Sequence, residues 1–282
     1  MQSKNPVFAR REEFARSNQQ SYPQQATFGQ PPPQWSGQQA PAGTPQQLEQ
    51  MYGRPPATPA QTGRMTYDDV VVRTGILFTI LLVTAAATWF VVPDALLFPV
   101  AIGAMLLGLG MGLVIAFSKA IRPPLMMLFA AIEGVFLGAI SFYFENFYDG
   151  IIIQAVLATL GAFTGMLFAY KIGAIRATPK FKRFLIIATI GYMVFQMFHL
   201  VAVLVFGVTS IYSMGLLGIG ISLLGVGLAS LNLILDFDYI DRGVRQGLPQ
   251  QYAWVAAYGL IVTLVWLYIE MLRLIAILRG NN

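Results

Sequence analysis

From Val70 onward the chain passes through seven apolar blocks of about 20 residues, a pattern that no soluble fold absorbs. The blocks run Val70 to Val92, Leu96 to Ser118, Leu125 to Phe144, Ile151 to Lys171, Phe184 to Phe206, Ile211 to Asp236 and Tyr252 to Leu278. At 1.5 Å per residue each one crosses a hydrocarbon core of ~30 Å. Backbone groups in lipid must be satisfied internally, and the blocks show no alternation of period two, so helices are expected and barrel strands are not. Composition agrees: 11% of the 282 residues are charged and 56% are hydrophobic. Soluble domains carry about 25% charged residues. The fold expected is therefore all-α, a polytopic membrane protein with seven transmembrane helices.

Residues 1–64 differ in kind. They are rich in Gln, Pro, Gly, Ser and Ala, with Pro31-Pro32-Pro33 and Pro55-Pro56, and are expected to form a disordered cytoplasmic tail ahead of a transmembrane domain over 65–282. No cleaved leader is expected, because the first long apolar run starts only near Val70. Cations set the orientation. Lys119 and Arg122 lie between the second and third blocks, and Lys171, Arg176, Lys180, Lys182 and Arg183 between the fourth and fifth. The intervening connections Val92 to Leu96, Glu145 to Gly150 and Gly207 to Ser210 hold no Lys or Arg. A multi-pass protein of the cell membrane with its N-terminus in the cytoplasm follows from that bias. The net charge of +5 is thus a topology signal and not a nucleic-acid surface. Seven crossings leave Arg273 and Arg279 near the outer end, so either that end is an exception or the seventh block is a re-entrant hairpin.

Glycines four apart recur as Gly108-xxx-Gly112, Gly134-xxx-Gly138 and Gly161-xxx-Gly165, spacing that lets helix backbones approach closely within a bundle or between copies. Ionisable residues inside lipid are costly and are candidates for function by default. Glu133 lies about 14 Å into the third block, near the midplane, with no basic residue on its own helix, so it must stay protonated, pair across helices or face water. Asp236 closes the sixth block, followed by Asp238 and Asp241, which with Arg242 and Arg245 read as a solvated helix end. Glu270 lies about 27 Å along the seventh block, three residues from Arg273, and the two can neutralise each other on one helix face. His199 stands alone, without a second His or any Cys to complete a zinc site. Enzyme templates fail: HExxH, the Walker pattern and a retinal-linking Lys are absent, and Gly220-Ile221-Ser222 has only His199 as a partner for serine chemistry.

The segment Ser230-Leu-Asn-Leu-Ile-Leu-Asp236-Phe-Asp-Tyr-Ile240, ahead of a last apolar helix ending Leu272-Arg273-Leu-Ile-Ala-Ile-Leu278, resembles the Bax inhibitor-1 family. So does the layout from Met65-Thr66-Tyr-Asp-Asp-Val70 onward, about three quarters of the chain, closest to bacterial members with Gln/Pro-rich tails. The resemblance implies six helices around a central seventh, acting as a pH-sensitive calcium leak gated by a pair of aspartates. Asp236 matches one of the pair. For the second, matching Leu267-Tyr-Ile-Glu270 to the family's Leu-Tyr-x-Asp selects Glu270, whereas matching on Leu272-Arg273 leaves the position near Thr263, which cannot ionise; depth favours the latter. The family's pore-side arginine falls at the end of the second helix, where Lys119 and Arg122 are the nearest cations to pair with Asp236.

The expectation is therefore a cation path and pH sensor built from Asp236, Glu133 and Glu270, with Lys119, Arg122 and Arg273 as candidate ion-pair partners. Ionised acids offer oxygen ligands to a hard cation and protonation removes them. Calcium enters as the permeant ion, with no cofactor and no catalytic residues. The alternative is a non-transporting regulator or adaptor of stress survival or membrane proteolysis, working through membrane-protein partners of the tail or the Lys171 to Arg183 loop. The lipid bilayer is the partner common to both, and the oligomeric state is left open.

Overall fold

The computed structural model describes residues 63–118 and 120–280. The tail expectation falls on residues 1–62, outside the described residues, as does Lys119. Seven long helices follow one another: α1 (Tyr67–Val91), α2 (Asp94–Phe117), α3 (Pro123–Phe147), α4 (Ile151–Lys171), α5 (Pro179–Phe206), α6 (Leu216–Arg245) and α7 (Tyr252–Gly280). All seven are long and apolar enough to cross a membrane. Among the described residues the only β pairing is an isolated bridge between Arg64 and Pro249. Large apolar side chains such as Phe90, Phe117 and Leu216 are more than four-fifths exposed, as suits helices whose outer surface meets acyl chains and not water.

Local chemistry fixes the helix starts. Thr66 and Asp69 form a reciprocal capping box on α1, the Thr66 hydroxyl accepting from the Asp69 amide at 3.1 Å and the Asp69 carboxylate accepting from the Thr66 amide at 3.0 Å. Pro123 and Pro179 occupy the first turns of α3 and α5, where a missing amide proton costs nothing. Met65, wholly buried, donates its amide to the Leu248 carbonyl at 2.7 Å, and Gln250 donates to the Gly63 carbonyl at 2.9 Å. The chain leading into α1 is thereby clasped to the α6–α7 connection.

The seventh block is one continuous helix of 29 residues, about 43 Å long. This overturns the re-entrant alternative, since an unbroken helix of that length has no turn in which to reverse. Two faces result. The connections 118–122, 172–178 and 246–251 lie on one, here termed the basic face, and 92–93, 148–150 and 207–215 on the other, the far face. Helix α7 packs against α1, α3, α4 and α6, and its side chains also meet α2 and α5, so it is the central element expected.

The glycine pairs divide by use. A Cβ on Gly138 would stand 3.0 Å from Ala85 Cα, and one on Gly134 would overlap the Leu81 carbonyl, so this pair seats α3 directly on the α1 backbone. Gly161 and Gly165 have nothing within 4 Å of such an atom. Two helix starts differ from expectation by five residues. Helix α5 begins at Pro179, and Ile211–Ser213 forms a separate 3₁₀ turn ahead of α6.

Candidate functional site

Three helices, α2, α3 and α7, build a layered column from the basic face inward. The outermost layer is a cavity of about 210 Å³ bordered by Ile115, Arg122, Met126, Val255 and Tyr258. One turn deeper, Phe129 and Tyr258 meet edge to face with centroids 5.0 Å apart. Gly112 forms the third corner, with the Phe129 ring edge and the Tyr258 hydroxyl each 3.5 Å from where its Cβ would be. One turn deeper again lies Glu133, about 15 Å from the start of α3. Its Oε1 occupies the space that a side chain on Gly108 would need, 2.8 Å from the Cβ position. The Gly108-xxx-Gly112 spacing therefore makes room for two functional side chains in succession. Among the described residues no hydrogen bond or ion pair reaches Glu133.

Asp236 faces the opposite side of α7. Thr263 donates its hydroxyl to Asp236 Oδ2 at 2.7 Å, and a Cβ on Gly259, one turn away on α7, would stand 3.3 Å from Oδ1. The sixth helix does not end at Asp236, as expected, but runs nine residues further to Arg245, which puts the acid about 14 Å inside the helix end. The extension forms because Asp238 with Arg242 and Asp241 with Arg245 are i,i+4 pairs that support helix in a stretch too polar to read as membrane-spanning. Thr263 lies about 17 Å into α7, so Glu133, Asp236 and Thr263 share one depth. No cation approaches Asp236 among the described residues. Arg122, expected as a partner, is exposed at the cavity mouth beside α3 and forms no ion pair among them. Lys119 lies outside the described residues.

Glu270 is committed elsewhere. Its carboxylate accepts from Tyr192 at 2.9 Å, from Trp266 at 3.2 Å and from Arg273 at 3.0 and 3.1 Å, with Gly225 leaving the space for it. Arg273 in turn donates to Tyr212 at 3.1 Å and lies 4.4 Å from that ring's centroid, while Tyr212 donates to Gln196 at 2.6 Å. The network ties α5, the 3₁₀ turn, α6 and α7 together near the far face. It corrects the expectation of Glu270 as a free rung of a cation path: the carboxylate that one residue spacing placed beside Arg273 is paired with it. His199 bonds Ser210 and the Ile211 amide, and Ser222 is fully buried with its hydroxyl unpartnered, so the His199 and Ser222 pair that serine chemistry needs does not form.

At the basic face Asp238 is buried between Lys182 and Arg242, and Asp241 accepts from Tyr67 at 2.8 Å and from Arg245 at 3.0 Å. The expected solvated helix end is instead a junction of α1, α5 and α6. Among the described residues, no group of three or more His, Cys, Asp or Glu is arranged to hold a metal ion.

A family profile described as Bax inhibitor 1 like matches residues 5–280. The chain belongs to the Bax inhibitor 1 like family. The match takes in most of the N-terminal tail as well as the seven helices, more than the three quarters that the motifs alone suggested. None of the curated proteins compared with the chain matches it. For this Bax inhibitor 1 like protein the geometry decides between the two candidate partners of Asp236. Thr263 bonds it, and Glu270, in the far half of α7, does not. The residues that sequence reasoning passed over are Phe129, Tyr258 and Gly259. Only the Gly108-xxx-Gly112 signal pointed toward Phe129 and Tyr258, and it does not say which helix fills the space; nothing pointed to Gly259.

Proposed function

We propose that this protein is a non-enzymatic, multi-pass component of the cell membrane, with its N-terminus in the cytoplasm, that lets a hard cation such as calcium leak under the control of protons at Glu133 and Asp236. The observation that carries this reading is the pair of acids at one depth on either side of α7, neither facing a cation among the described residues. Acids so placed are expensive in a bilayer and are kept where a pathway or proton relay uses them. In this reading the conformation described is the closed one. Phe129 and Tyr258 fill the column between the basic-face cavity and Glu133, and Thr263 holds Asp236 against α7. Ionised, the two carboxylates supply oxygen ligands to a cation; protonated, they do not, so passage grows as pH rises through their titration.

Calcium flux in proteoliposomes tests it. Glu133→Gln and Asp236→Asn are each expected to flatten the pH dependence, and unchanged flux and pH response in both would remove the leak. A regulatory reading draws support from the clasp of residues 63–65 on the α6–α7 connection, between the helices bearing Asp236 and Thr263. Deleting residues 1–62 separates the two: flux survives in the first, and capture of a membrane-protein partner is lost in the second.

A further inference from the structure

A lateral groove of about 680 Å³ runs between α1 and α4 and carries none of the residues discussed above as acids or their partners. Phe78 and Phe90 of α1 and Leu160 of α4 form its walls, and Leu264 and Val265 of α7 its floor. It extends from Thr74 to Phe90, 16 residues or about 24 Å along α1. Volume over length, with a water radius added on each side, gives a mean width of roughly 9 Å. A helix with its side chains is about 10–12 Å in diameter, so a helix from a second copy does not fit, whereas a single hydrocarbon chain does.

The polar groups of the groove are few and mostly satisfied. Ser141 and Tyr268 bond each other at 2.8 Å, and Thr159 donates to the Ala155 carbonyl. At the basic-face end the buried Thr74 hydroxyl has no partner among the described residues. Beyond it, Lys171 closes α4 eleven residues past Leu160, three turns on and so on the same helix face. Lys171 is exposed and has no carboxylate partner among the described residues, while Arg73 is already spent on Asp69 at 2.8 Å and on the Trp254 ring.

We infer that this groove is a binding site for one acyl chain of an anionic glycerophospholipid from the leaflet on the basic face. The chain lies over Leu264 and Val265, the ester region sits beside Thr74 at the basic-face end, and the phosphate pairs with Lys171. Apolar walls left without partner atoms forfeit dispersion contacts, which an acyl chain restores. The volume lies within the usual range of small-ligand sites. The inference stands apart from the proposed cation leak and survives its failure.

The test uses the full chain in vesicles doped with phosphatidylglycerol that carries a photoreactive group in its acyl chain, with labelled residues mapped by mass spectrometry. Label is expected on Leu264 and Val265, which lipid around the outer surface does not reach. Gly75 lines the groove and has nothing within 4 Å of a Cβ, so a side chain can start there in open space and Gly75→Phe is expected to fill the groove. It is expected to cut the floor label at least fivefold while label on Phe90 persists, and Gly75→Leu gives the same direction should the larger ring disturb folding. Lys171→Gln is expected to lower the preference for phosphatidylglycerol over phosphatidylcholine by about fivefold. Label confined to outward residues and indifferent to Gly75→Phe overturns the site, as do cross-links joining two copies through the groove. An unchanged headgroup preference overturns the role of Lys171 and with it the anionic ligand.

Discussion

Removing one or the other partner of the Glu270–Arg273 pair is expected to have unequal effects. The Glu270 side chain is 2% exposed and that of Arg273 is 23% exposed. In Glu270→Gln the amide oxygen still accepts from Tyr192 and Trp266, and Arg273 keeps Tyr212 and an outlet to the far face. What disappears is the charged component of one contact, a loss of about 2 kcal/mol. In Arg273→Met the buried carboxylate keeps only two neutral donors, and stranding a buried charge costs about 3–5 kcal/mol, with about 1 kcal/mol more for the lost stacking on Tyr212. The double variant has neither charge and is expected to recover part of the loss, giving a coupling of about 2–3 kcal/mol. Reversible unfolding of the full chain in mixed micelles measures all four corners of the cycle. Equal losses in the two single variants, or strict additivity in the double, would refute the assignment of Glu270 as a buried, arginine-dependent carboxylate.

Two further perturbations probe packing and the closed column. Gly134→Ala is expected to destabilise the bundle by about 1–3 kcal/mol or to prevent folding, because its methyl group overlaps the Leu81 carbonyl, whereas Gly161→Ala, with open space around it, stays within about 0.5 kcal/mol of the parent in the same unfolding assay. Phe129→Ala removes the ring that meets Tyr258 above Glu133; under the proposed cation leak, calcium flux in proteoliposomes is expected to rise several-fold above that of the parent, and no change would show that the aromatic layer is not the barrier.

The helices were legible because lipid dictates their length and their internal hydrogen bonding, so the apolar runs alone located all seven. Their ends were less so. Hydropathy stopped the sixth helix at Asp236, yet Asp238 and Asp241 pair with Arg242 and Arg245 one turn on and carry the helix to its end, which moves Asp236 from a helix terminus to the interior. The Glu270–Arg273 pair was readable from a spacing of three on one helix. Thr263 against Asp236 and Tyr258 above Glu133 were not, because each depends on the register between helices, and apolar residues facing in every direction leave that register unmarked. Gly108 and Gly112 signalled a close approach without naming Phe129, Tyr258 and Glu133 as what approaches.

Tyr258 and Gly259 are consecutive residues, one abutting the aromatic layer above Glu133 and the other abutting Asp236. Because these neighbours stand about 100° apart around the central rod, one borders each acid, and turning the rod about its long axis alters both contacts. The surroundings of Glu133 and of Asp236 therefore rest on one helix, and a shift of that helix is felt at both.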